Sequence, residues 1–414
     1  MAGEATSLRV DGRRLWRRLM EMAEIGATPA GGCNRQALTD EDKAGRDLFV
    51  RWCEASGCRV RVDEVGNLFA RRSGAADGLP PVLVGSHLDT QPTGGRFDGV
   101  YGVLAGLEVL ETLTDHGVTT RAPLEVVVWT NEEGARFAPA MLGSGVWAGV
   151  FPLDEARAVA DKRGRSVGSE LERIGYCGEV PARAAPVTAA FEVHIEQGPI
   201  LEAEGVQIGV LTGVQGMRWY DMILEGAASH AGPMPMEARS DPFRALPAIL
   251  TALYDLTRAH APCARVTFGD VRAEPGVRNT VPERVVVSVD MRHPDQEILE
   301  EMDAALRRIV GAGCQAAGLT GAVREAWNSP AVAFAPACVE AVRRAAEMLG
   351  YSHIEMVSGA GHDSVYVSRV APTGMVFVPC ENGLSHNEAE NARPEDLEAG
   401  ANVLLHAVLE QAGT

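Results

Sequence analysis

Pro81-Val82-Leu83-Val84-Gly85-Ser86-His87-Leu88-Asp89 reads as a buried strand that ends in a histidine and a carboxylate. From Pro81 to Leu88 the chain is a short apolar run that delivers a histidine near its end. Such a run fits a strand buried in a parallel sheet, and open α/β sheets carry their chemistry at the carboxyl ends of strands. Asp89 lies two residues beyond His87 and faces the same side, where a carboxylate can orient an imidazole. Downstream, Val103, Leu104, Leu107, Leu110 and Leu113 fall at helical spacing. Leu124 to Trp129 reads as a second buried strand leading into Glu132-Glu133, and Phe191 to Ile195 as a third that contains His194. Upstream, residues 13–25 and 40–56 read as amphipathic helices, the second capped by Thr39 or Asp40. Strands that alternate with helices make the main domain α/β.

The segment from about 213 to 329 has another pattern. Trp219 to Leu224 and Val285 to Arg292 alternate like half-exposed strands, with Val285, Val287, Val289 and Met291 on one face of the latter. A helix opened by Asp241-Pro242 lies between them, and another begins near Pro294. This order predicts a small two-layer α+β domain inserted into the α/β domain, which then comprises residues 1–212 and 330–414.

Bulk properties narrow the function. A chain of 414 residues suggests two domains, since single cores rarely grow beyond about 250–300 residues. A net charge of −18 with no Lys/Arg-rich run argues against a nucleic-acid partner, whose backbone would be repelled. No apolar run approaches the roughly 20 residues that span a bilayer, so no membrane association is expected. Met1-Ala2-Gly3-Glu4-Ala5-Thr6 lacks the basic start of a secretory leader, which makes a cytoplasmic location the expectation. The 8 cysteines include no Cys-x-x-Cys pair and are irregularly spaced, unlike a zinc ribbon or a disulfide framework.

The chemistry-bearing residues are His87, Asp89, Asp98, Glu132, Glu133, His194 and His386. Imidazoles and carboxylates are the ligands that borderline and hard divalent ions prefer. One carboxylate more than the ligands require, here one of Glu132-Glu133, is what a metal-assisted hydrolase needs as a base. Each residue also has a plainer reading. Asp98 in Arg96-Phe97-Asp98-Gly99 precedes a helix and could cap it. Glu132-Glu133 could be a solvated pair, although two carboxylates directly after Val126-Val127-Val128-Trp129 are an odd choice for solubility alone. His194 between Glu192 and Glu196 puts three polar groups on one strand face, which is costly unless that face lines a site. His386 in Gly383-Leu384-Ser385-His386-Asn387-Glu388 is ambiguous by itself.

Together these residues sit in the blocks GSHLDTQPTGGRFDGVYGVLAG, TNEEGARFAPAMLGSG, FEVHIEQGPILE, SHAGPMPMEARSDP, GVRNTVP and GAGHDSVYVSRVAPTGMVFVPCENGLSHNE. In these blocks, and from about residue 13 to 410, the chain resembles the hydantoinase/carbamoylase branch of the M20-type metalloamidases. That branch includes N-carbamoyl-L-amino-acid amidohydrolases, allantoate amidohydrolases and one group of β-ureidopropionases. The resemblance implies a metallopeptidase-like catalytic domain, with a mixed sheet flanked by helices, and an inserted dimerisation or lid domain. It implies that Asp98 bridges two divalent ions, His87 and His194 completing one site, Glu133 and His386 the other. Glu132 is then the general acid/base and Asp89 supports His87. Zinc, manganese, cobalt and nickel all suit such mixed ligands.

The implied substrate is a small linear ureido or amide compound with a free carboxylate. Arg292 is either a surface salt bridge with Asp290 or Asp295, or a bidentate clamp on that carboxylate. Asn279 is a turn residue or, by the resemblance, a second holder of the same carboxylate. His230 is a loop histidine or, by the resemblance, an oxyanion stabiliser that reaches the partner subunit's site in a homodimer. Gln197 resembles the position that contacts the ureido group, and Gly361 offers backbone near the ligand; His362 and Asp363 read as structural. The expected reaction is hydrolysis of the carbamoyl C–N bond of an N-carbamoyl-L-amino acid to the amino acid, ammonia and carbon dioxide. N-carbamoyl-β-alanine and allantoate are neighbouring alternatives; an M20-type peptidase and a non-catalytic metal-binding homologue are more distant ones. Cys380 as an amidase nucleophile lacks a matched Lys/Glu context, and Ser144 lacks the strand–elbow pattern of a serine hydrolase.

Overall fold

Val82–His87 forms a strand in which every residue is buried. It pairs in parallel with Leu124–Trp129 on one side and Ala189–Ile195 on the other, and Thr373–Val378 adds in parallel to Ala189–Ile195. These strands are buried along their whole length, as a parallel sheet covered on both faces requires. His87 registers with Trp129 and His194 with Phe377, so the carboxyl ends of all four strands lie along one sheet edge. Leu68–Arg72 and Ile208–Val214 add in antiparallel fashion, giving a mixed sheet of nine strands. The helices Val100–Asp115 and Pro394–Ala412, buried on nearly every face, pack against it. The fold is therefore α/β, as the strand–helix alternation predicts, with the mixed sheet and flanking helices that the resemblance implies.

The computed structural model describes residues 7–414, and residues 1–6, on which the leader argument rests, lie outside the described residues. The chain divides into two compact units, one running to Thr212 and resuming at Ala333, the other spanning Gly213–Val332. In the first unit, Gly12–Ala23 and Asp40–Ala55 are helices, and Thr39 caps the latter by accepting from Asp42 N.

The Gly213–Val332 unit runs strand Gly216–Glu225, helix Leu246–Ala259, strands Arg265–Glu274 and Arg284–His293, helix Gln296–Ala316 and strand Thr320–Ser329. This is a β-α-β-β-α-β order folded into one antiparallel sheet with Gly216–Glu225 and Arg284–His293 at its centre. Val285, Val287, Val289 and Met291 bury one sheet face with Tyr220, Met222 and Leu224 against Ile249, Leu253, Leu299, Met302 and Leu306 of the two helices. Asp241 caps the turn before the first helix and Asp295 caps the second. Among the described residues no helix is long and apolar enough to cross a membrane.

Candidate active site

The four strand ends bring distant residues to one place. His87, Asp98 and His194 each offer a ligand atom within 4.8 Å of the others, and so do Asp98, Glu133 and His386. Asp98 belongs to both groups. Its Oδ1 lies 3.1 Å from His194 Nε2 and 3.5 Å from His87 Nε2, while its Oδ2 lies 3.5 Å from His386 Nε2. Glu133 Oε2 is 3.3 Å from His386 Nε2, and Glu132 Oε2 is 3.5 Å from His87 Nε2. His87, Asp98, Glu132 and His194 are buried, Glu133 is half-buried and His386 is exposed. Asp98 does not cap the following helix: the cap position of Val100–Asp115 is Gly99, and no side chain bonds there.

A surrounding set of hydrogen bonds orients these groups. His87 Nδ1 bonds to the Asp89 carbonyl at 2.8 Å and His194 Nδ1 to the Ile195 carbonyl at 2.9 Å. Both bonds place the ring proton on Nδ1 and turn the Nε2 lone pair toward Asp98. Gly99 N donates to His194 Nε2 at 3.0 Å, in keeping with that tautomer. Asp89 thus meets His87 through its main chain, not its side chain. Its carboxylate accepts from Glu132 N and Glu133 N at 3.2 and 3.3 Å, holding the turn that carries both glutamates. Gln197 donates to Asp98 Oδ2 at 2.7 Å, while its own Oε1 is buried without a hydrogen-bond partner among the described residues.

Gln91, Ser385 and Glu390 escaped the sequence reading. Gln91 donates to both oxygens of Glu133, at 3.1 and 2.7 Å. Ser385 Oγ donates to Asp98 Oδ2 at 2.8 Å. Glu390 accepts from Phe97 N and Asp98 N at 2.9 and 3.1 Å and so anchors the Asp98 turn from below. Gly95 makes room for that carboxyl, since a Cβ there would stand 2.1 Å from it.

Gly99 itself is a steric requirement. It has φ +69°, and a Cβ there would lie 2.3 Å from the His87 ring. Gly99→Ala is therefore expected to lower activity at least about tenfold and to destabilise the fold by about 1–3 kcal/mol. Thermal melting together with ammonia-release kinetics checks this; an unperturbed variant would mean that the His87 ring has room to move.

Burial pushes the Glu132 and Glu133 carboxyls well above the usual carboxylate range, and neighbouring carboxylates add to the rise. Burial acts the same way on Asp98, but the adjoining His194 and His87 rings hold it well below that range. Buried carboxylates facing imidazole lone pairs form a donor set that a divalent cation neutralises, and a carboxylate shared by two such groups suits a pair of ions. The residues present therefore fit the divalent metals the resemblance implies.

His230 and Asn279 are exposed and adjacent, because Ser229–His230 pairs with Thr280–Val281 and Ala231 N bonds to Asn279 O at 2.9 Å. Arg292 bonds Asp290 through Nε at 2.9 and 3.2 Å and through Nη2 at 2.7 Å, so the ion pair with Asp290 is present. Gly361 is half-buried beside Met141. His362, 4.7 Å from the His194 ring, hydrogen-bonds Ser358, and burial holds it well below the usual histidine range. Asp363 takes a hydrogen bond from Ser144. Burial pushes the Cys380 thiol up to about 11, which removes the thiolate a nucleophile needs.

Comparison with known proteins identifies the family. The model of peptidase family M20/M25/M40 matches residues 83–410. An N-carbamoyl-L-amino-acid amidohydrolase of Rhizobium meliloti is 49% identical, over 100% of this chain and 99% of the relative. An allantoate amidohydrolase of Bacillus subtilis (strain 168) is 34% identical over 92% of this chain and 93% of the relative. The crystal structure of an amidase of the hydantoinase/carbamoylase family from Burkholderia multivorans matches with a TM-score of 0.93 at 56% identity, covering 98% of this chain and 99% of that one. With its strand ends converging on a carboxylate shared between two groups of imidazole and carboxylate donors, the chain belongs to peptidase family M20/M25/M40, in its hydantoinase/carbamoylase branch.

Proposed function

We propose that this chain is a metal-dependent amidohydrolase that cleaves the carbamoyl C–N bond of N-carbamoyl-L-amino acids, giving the L-amino acid, ammonia and carbon dioxide. The observation that carries this reading is the shared carboxylate of Asp98 with Glu132 beside it, in a chain similar along its whole length to an N-carbamoyl-L-amino-acid amidohydrolase. His87, His194, Asp98, Glu133 and His386 would hold two divalent ions, which when bound polarise the ureido carbonyl and acidify water. Glu132 takes the proton of the attacking water and returns it to the departing nitrogen. Arg292 and Asn279 hold the substrate carboxylate, Gln197 the ureido group, and the main chain at Gly361 borders the ligand. His230 stabilises the developing oxyanion across a homodimer, with the Gly213–Val332 unit serving as dimerisation and lid domain. The enzyme is assigned to the cytoplasm.

The test is ammonia release by chelator-stripped protein after zinc, manganese, cobalt or nickel is restored. The panel is N-carbamoyl-L- and D-methionine, N-carbamoyl-β-alanine and allantoate. Metal-dependent release from the L-carbamoyl compound is expected. Silence with every metal would overturn the reading. Allantoate is the second reading, supported by the similarity of an allantoate amidohydrolase over more than nine tenths of both chains, and preferential release from it would move the assignment there.

A further inference from the structure

The open face of the sheet in the Gly213–Val332 unit carries an aromatic pair that packing does not account for. Trp219 is 45% exposed and packs against Trp327, with ring centroids 4.9 Å apart and the ring planes tilted by 48°. Cross-strand register puts both on the same face as Arg292: Trp219 lies opposite Asp290 and opposite Trp327, and Met217 lies opposite Arg292. Trp219 is thus the diagonal neighbour of Arg292, roughly 7–8 Å away, a separation within reach of an aromatic side chain. Nearby positions of this face are charged: Asp221 is ion-paired with Arg324, and Asp290 with Arg292. Two large rings meeting in such a setting mark a contact surface.

We infer that Trp219 and Trp327 select the side chain of the substrate, and that the preferred substrates are N-carbamoyl-L-amino acids with large aromatic or aliphatic side chains. The inference rests on the function proposed above, in which Arg292 holds the substrate carboxylate. In an α-amino acid the carboxylate and the side chain branch from one carbon. A clamp on the carboxylate therefore leaves the side chain only a short reach, and Asp290 fixes the plane of that clamp through two of the guanidinium nitrogens. The register puts the Trp219 indole one diagonal position from Arg292, a separation that such a side chain spans. N-carbamoyl-β-alanine and N-carbamoylglycine have no side chain to present to them.

The experiment compares kcat/KM for N-carbamoyl-L-phenylalanine with that for N-carbamoylglycine, using the metal-loaded full-length enzyme. The wild type is expected to favour the phenylalanine compound by at least about tenfold. Trp219→Ala is expected to lower that ratio about ten- to hundredfold, Trp327→Ala less, and Trp219→Phe is expected to restore most of it. A wild-type ratio near one, or a ratio unchanged in Trp219→Ala and Trp219→Leu whatever the absolute rates, would overturn the inference. So would light scattering that shows Trp219→Ala dissociating the protein at an unchanged ratio, since the indoles would then belong to a subunit interface. A wild type that releases ammonia from neither compound fails at the parent function, and this inference fails with it; turnover of both without discrimination fails the inference alone.

Discussion

Glu132→Gln is expected to keep the bound metal and to lose about 10²–10⁴-fold in kcat, the usual contribution of a positioned general base. The substitution preserves shape at a buried position whose main chain is held by Asp89, so the turn should survive it. What it removes is the capacity to accept a proton at Oε2, the oxygen 3.5 Å from His87 Nε2. Burial already pushes this carboxyl well above the ordinary range, toward the basicity a proton shuttle requires. KM should change little, because Glu132 acts on the transition state and does not hold the ground-state ligand. The neighbouring Glu133→Gln supplies the contrast: Glu133 faces His386 and Asp98, so its loss should lower metal content first and rate as a consequence. Elemental analysis beside single-turnover ammonia release separates the two. Near-normal turnover in metal-replete Glu132→Gln would end the assignment, and loss of metal from that variant would make Glu132 a ligand.

The parts of the fold legible in the sequence are those where burial writes a simple pattern. Pro81 to Leu88 and Leu124 to Trp129 are mostly apolar because both their faces are covered, and the strands Val82–His87 and Leu124–Trp129 lie there. The alternation of Val285, Val287, Val289 and Met291 matches a strand with one buried face. Arg265–Glu274 and Thr320–Ser329 gave no comparable signal, because both are edge strands exposed along most of their length. In the site, His87, Glu132 and His194 drew notice because polar groups at the ends of buried strands are costly without a purpose. Asp98 was ambiguous for a local reason: a carboxylate before a helix reads equally as a cap or a ligand, and only the backbone at Gly99 separates them. Gln91, Ser385 and Glu390 left no periodic trace, since their roles depend on contacts such as Ser385 to Asp98 that join chain segments 287 residues apart. The role of Asp89 was misplaced by one atom group, its carbonyl rather than its carboxylate facing His87, because a choice between main chain and side chain has no sequence signature.

Asp98→Asn and His386→Ala should fail in different ways, and the difference tests whether one carboxylate serves two ions. The oxygens of Asp98 are divided, Oδ1 toward His194 and His87 and Oδ2 toward His386. An amide in its place offers one oxygen and one NH₂ group that repels a cation, so both donor groups are damaged together. Binding should weaken at both sites by more than about 100-fold, beyond what loss of a supporting partner alone brings, and activity should fall with it. His386 belongs to a single group and is exposed, so His386→Ala should leave the buried His87, Asp98 and His194 group intact and retain one ion of the pair. Dialysed protein measured by elemental analysis would then hold two ions in the wild type, one in His386→Ala and close to none in Asp98→Asn. Equal loss in both variants would mean that the two ions bind as one cooperative unit. Retention of one ion in Asp98→Asn would mean that the carboxylate belongs to a single ion, and the bridging role would have to be given up.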